Sequence, residues 1–141
     1  MLIRRFDPTN EHHWSVDEEN GEPRIRSGAF QFDDEPNYGG MGCSVFQESL
    51  LVRLGHSRWV VIEEERPHFA VAMSEVQLVR AVTRESVSPT IYPFEVVEAP
   101  DAQEVPGVAH ALIVHANELS KPSRWYRELD RVFNSELRTP A

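Results

Sequence analysis

Disulfides, lysine and long apolar runs are all nearly missing from this chain. Cys43 is the only cysteine among 141 residues, which excludes an internal disulfide and agrees with a reducing compartment, the cytosol by default. The longest uncharged apolar runs, such as residues 108–114, fall far short of the ~20 residues a membrane span needs. The opening MLIRRFDPTN has no apolar h-region, so no signal peptide is read there. Positive charge is scarce: 14 Lys and Arg stand against 23 Asp and Glu, for a formal net charge of −9. That balance argues against the phosphate backbone of nucleic acid as a partner, because such binding rests on clustered cations. Lysine itself is reduced to Lys121. An arginine bias suits planar, bidentate contacts, and it also follows from a GC-rich coding sequence.

Several motifs are absent as well. There is no Cys-x-x-Cys pair, no Asp-x-Asp-x-Asp-Gly calcium loop, no Walker lysine or Rossmann spacing, and no Gly-x-Ser-x-Gly elbow. The acidic runs at 17–19, 33–35 and 63–65 therefore read as solvated turns. His12, His13, His56, His68, His110 and His115 lack the offsets of a metal site. His110 and His115, five apart, fall on opposite faces of a strand and read as polar neighbours of a buried segment. No metal and no cofactor is assigned.

What is present fits one globular domain over residues 1–141. Apolar residues make up 40% and charged residues 26%, as in a folded protein rather than a disordered one. Residues 2–6 read as a strand stopped by Asp7-Pro8, and Asn20-Gly21 as a hairpin turn. Weak alternation predicts a strand over 24–32, a loop over 33–42, a short strand over 43–46 and a helical turn or two over 47–54. Gly55 then sits where a helix C-terminal cap belongs. Further strands are expected at 59–62, at 69–82 (bent or bulged near Ser74-Glu75), at 91–97 on a sheet edge because of Pro93, and at 108–115. The clearest element is the last. Ser120, Pro122 and Ser123 supply capping and an early proline, and Trp125, Leu129, Val132, Phe133 and Leu137 recur as one apolar face. Arg124 and Glu128 would pair on its polar side. Strands follow one another without a helix between each, so the class is α+β, a mostly antiparallel sheet with the C-terminal amphipathic helix packed on one face.

Residues 24–54 carry the candidate site. A basic, hydroxyl-bearing segment (Arg24, Arg26, Ser27) leads to an acidic turn and then to Gly39-Gly40-Met41-Gly42, which delivers Cys43 and Ser44 to an apolar segment. Such glycine-rich loops let a backbone approach a ligand closely. A catalytic Cys43 would need a lowered pKa and a base within reach; a packed, inert Cys43 needs only a core. The flanking residues match no cysteine-nucleophile signature.

The order Arg26-Ser27, Gly39-Gly40 and Ser44 resembles that of arginine, glycine pair and serine in RES-type ADP-ribosyltransferase-like toxins. Those domains continue Gly-Gly with Arg-Trp-Asn, where this chain has Met41-Gly42-Cys43. The resemblance implies an NAD- or nucleotide-directed enzyme, with Arg26 on phosphate, Ser27 or Ser44 on a ribose hydroxyl and Tyr38 stacked.

No motif supplies a nucleophile, a base and an orienting group together. The leading expectation is thus a cytoplasmic, bacterial-type binding or accessory protein, immunity-like, acting on a protein partner or a second copy. Its candidate contact residues are Arg24, Arg26, Ser27, Tyr38, Cys43 and Ser44, with Trp14 and Phe30 as further exposed aromatics, since Trp, Tyr and Arg dominate interface hot spots.

Overall fold

The computed structural model describes residues 1–35, 38–115, 119 and 121–137. Its strands are β1 (Leu2–Phe6), β2 (Trp14–Val16), β3 (Pro23–Ile25), β4 (Asp33–Glu35), β5 (Gly40–Gln47), β6 (Ala70–Ser74), β7 (Phe94–Glu98), β8 (His110–His115) and β9 (Asn134–Glu136). The helices are α1 (Glu48–Arg53), α2 (Val76–Arg80) and α3 (Pro122–Asp130). A seven-stranded sheet runs β7-β8-β5-β1-β6-β9, with β4 also pairing with β5, while β2 and β3 form a separate hairpin. Every pairing is antiparallel, and the class is α+β.

Alternation along the central strands sorts side chains to two cores. Leu2 and Phe6 of β1, Cys43 and Val45 of β5, and Ala111 and Ile113 of β8 join Ile25, Phe30, Val79, Trp125, Leu129 and Phe133. On the other face Ile3, Phe46, Val71 and Met73 meet Leu51 of α1, Val61, Ile62 and Ala109. Trp125, Leu129 and Phe133 are buried as expected, while Arg124, Arg127 and Arg131 are exposed. No helix of the described residues is long and apolar enough to cross a membrane.

Local signals held where local geometry governs. Gly21 has φ +72° in the β2–β3 turn. Gly55 has φ +84° after α1, where His56 N–H returns to the Leu51 carbonyl at 2.9 Å. β7 is an edge strand that begins directly after Pro93.

Other spans differ. Residues 33–35 pair with residues 40–42, Asp33 opposite Gly42 and Glu35 opposite Gly40, because the start of β5 offers an unpaired edge to the acidic run. Extension over 24–32 stops at Ile25, and Ser27–Phe30 is a 3-10 turn. The apolar residues around 59–62 form a 3-10 turn, Arg58–Val61; Val61 and Ile62 are apolar because they are buried, not because they pair. The phase break at Ser74-Glu75 ends β6 and starts α2, so Val76, Val79 and Val82 follow helical spacing. At the C-terminal end, α3 closes at Asp130, and β9 then pairs with the free edge of β6. Leu137 is consequently 39% exposed and off the stripe. Lys121 precedes α3 in the left-handed region at φ 53° without a side-chain cap, and Ser120 lies outside the described residues. Glu128 pairs with Arg131 at 2.9 Å rather than with Arg124.

Candidate functional site

The pleat of β5 separates the two residues that the glycine-rich stretch delivers. Cys43 points into the core beneath α3 and is 1% exposed. Burial pushes its thiol pKa up, which holds it protonated and removes it as a nucleophile or as a contact surface. Ser44 points to the opposite face. Arg24 and Arg26 are exposed and lie near Asp130 of α3. Ser27 shares a separate recess with Ser123 and Tyr126. Tyr38 is 46% exposed, whereas Phe30, expected on the surface, is fully buried against Phe133 at 4.9 Å between ring centroids. Trp14 is half-buried. The six candidates therefore do not meet in one pocket. Arg24 and Arg26 both act on the Asp130 carboxyl, and Ser44 gains partners that were not anticipated.

The register of β5 against β8 sets Phe46 opposite His110 and Ser44 opposite Leu112. Ser44 and His110 are thus diagonal neighbours on one face. His110 Nε2 lies 2.9 Å from Ser44 Oγ, and Nδ1 lies 2.7 Å from the Ala99 carbonyl oxygen. A carbonyl only accepts, so Nδ1 carries the proton; in the neutral ring Nε2 then accepts the Ser44 hydroxyl proton. Asp101 Oδ2 stands 4.0 Å from Nδ1, and the Phe46 ring meets the imidazole edge-on at 5.6 Å. His110 is 7% exposed. Ser44 Oγ, the His110 ring and the Ala99 carbonyl that orients it make a serine, a base and an orienting group, the combination absent from any linear motif. Ser44 and His110 are 66 residues apart, and nothing in the sequence joins them; only strand register does.

Phe46 continues from this cluster into a groove of about 600 Å³ between the 58–64 segment and the 101–107 loop. Trp59, Val61, Ile62, Val105 and Pro106 make its walls apolar. Arg58 anchors one wall by pairing with Glu48 at 2.8 Å and Glu136 at 2.7 Å. The opposite wall is folded tightly: a Cβ on Gly107 would stand 2.6 Å from the Ala102 Cβ, so a side chain there would force the turn to shift. Four charged residues line the groove, Arg5, Glu63, Glu64 and Asp101. The one cation among the described lining residues is already engaged, since Arg5 donates to the Val61 carbonyl at 2.9 Å, pairs with Glu63 at 3.4 Å and lies over the Phe46 ring at 5.5 Å. Glu64 and Asp101 leave the groove with a net negative lining. An aromatic floor under such a rim suits a group that is both apolar and cationic. No family model, no curated protein and no solved structure matches this chain.

Proposed function

We propose that this chain works by binding, as an accessory or immunity-type protein of a bacterial cytosol that takes a basic segment of a protein partner into the groove above Phe46. One observation carries the reading: an apolar, aromatic groove where, among the described residues, the one cation, Arg5, pairs with Glu63 and the other charges, Glu64 and Asp101, are negative. The net charge of −9 adds long-range attraction for a basic partner, a contribution that salt screens. Arginine or lysine stems would lie on Phe46 and Trp59 while their heads meet the carboxylates.

Half-buried Trp59 provides the readout. Titration with a short peptide of alternating arginine and leucine should change its fluorescence saturably, and Trp59→Phe should abolish that change. Glu64→Lys should weaken binding at least tenfold, and added salt should weaken it further. Equal binding of an acidic peptide, or no effect of Glu64→Lys, would refute the reading. So would light scattering that shows a stable dimer with Trp59 shielded, because a second copy would then occupy the groove.

A second reading, an enzyme, is favoured by the Ser44–His110 hydrogen bond of 2.9 Å. Neutral His110 would take the hydroxyl proton as Ser44 Oγ attacks an electrophile. The nucleotide-directed form of this idea is less supported, because Arg26 lies by Asp130 on the α3 side and the Ser44 side chain is on the other face. A fluorophosphonate adduct on Ser44 that is lost in His110→Gln would favour the enzyme over the binding protein.

A further inference from the structure

A second recess, independent of the groove, has the opposite electrostatic character. Arg84, Lys121 and Arg124 line a cavity of about 530 Å³, with Ser86 as a hydroxyl and, among the described residues, no Asp or Glu in its lining. Three cations in one recess are unexpected on a chain with 23 acidic residues. The arginines at 5, 58, 66, 80 and 131 all sit against carboxylates. Among the described residues, by contrast, no carboxylate pairs with Arg84, Lys121 or Arg124. Arg84 lies instead over the buried Trp125 ring, its guanidinium carbon 5.6 Å from the ring centroid. Confining like charges in one recess is unfavourable where no counter-charge offsets them. A bound anion removes that repulsion.

The rest of the lining narrows the ligand. Val87, Ile91 and Leu119 give the recess an apolar wall, and its volume falls within the ~300–1,000 Å³ of small-molecule sites. Two guanidinium forks and one ammonium match a doubly charged group with several acceptor oxygens. The overall charge of −9 disfavours an extended polyanion lying across the surface, which leaves a small ligand. We propose that this recess binds a phosphate monoester dianion attached to a compact apolar group.

Phenyl phosphate is the probe, titrated calorimetrically into the full chain. Saturable binding is expected, at least tenfold tighter than inorganic phosphate, with phenol giving none. Arg124→Gln and Lys121→Gln change exposed side chains and should each weaken binding about tenfold while melting at the wild-type temperature. Glu64→Lys, in the separate groove, should leave this binding unchanged, so loss of one site is readable without the other. Equal affinity for phosphate and phenyl phosphate, unaltered binding in Arg124→Gln and Lys121→Gln, or the absence of saturation would each overturn the proposal.

Discussion

Removing the Ser44 hydroxyl should destabilise this protein by stranding His110. In the wild type both imidazole nitrogens are satisfied at 2.7 and 2.9 Å, in a residue only 7% exposed. Ser44→Ala leaves Nε2 without its donor, and an unsatisfied buried polar group typically costs ~1–3 kcal/mol. His110→Phe keeps a ring of similar shape against Phe46 but strands the Ala99 carbonyl and the Ser44 hydroxyl, a cost of about the same size. The double variant removes the nitrogen and the hydroxyl together, so only the Ala99 carbonyl remains orphaned. It should be more stable than the sum of the single changes by ~1–2 kcal/mol, within the usual range for residues in one hydrogen-bonded network. With a urea m-value of ~2 kcal/mol/M, each single change shifts the midpoint by roughly 1 M, and the double variant by well under 2 M. Asp101→Asn serves as the control. Asp101 is exposed and 4.0 Å away, so its loss should cost less than ~0.5 kcal/mol. Equilibrium urea denaturation followed by far-UV circular dichroism gives all the terms. Strict additivity of Ser44→Ala and His110→Phe would show that the two residues are not bonded in solution.

Three further outcomes test the cores. Phe133→Ala removes a ring that is 1% exposed and paired with Phe30, so a loss of ~3–5 kcal/mol is expected. Exposed Arg127→Ala should stay within ~0.5 kcal/mol, and equal denaturation midpoints for the two would remove the stripe from the core. Asp130 is pushed from 3.8 up to about 6 by burial, against the pull of Arg24, Arg131, Arg26 and Arg127. Its folded-state pKa is the higher one, so the stability it contributes is complete below pH 3.8 and is lost as pH rises through about 6. Asp130→Asn should therefore gain stability relative to wild type at pH 7 and lose that slope, and parallel thermal melts at pH 4 and pH 7 would expose any failure. The Cys43 thiol, buried and with its pKa raised, should stay unreactive towards a disulfide reagent in buffer and react fully in denaturant; prompt native labelling contradicts its place in the core.

The sequence by itself determined what depends on near neighbours along the chain. Asn20-Gly21 and Gly55 take positive φ or turn where they stand because few other residues tolerate that backbone. Trp125 and Leu129 face the core because their spacing of four matches one helical turn. The antiparallel α+β class follows from strands placed in succession. Competition between distant partners decided the rest. Helix continuation past Asp130 was open to the chain, but the free edge of β6 offered Asn134–Glu136 backbone hydrogen bonds, and Leu137 left the stripe. Residues 33–35 were polar enough for a loop, yet the unpaired start of β5 drew them into a ladder. The candidate site lies wholly on this second side of the division. Cys43 and Ser44 are adjacent in sequence and opposed in space, because successive strand residues point to opposite faces. Ser44 and His110 are 66 residues apart and in hydrogen-bond contact, because β5 and β8 pair in one register and a slip of a single residue would turn them away from each other.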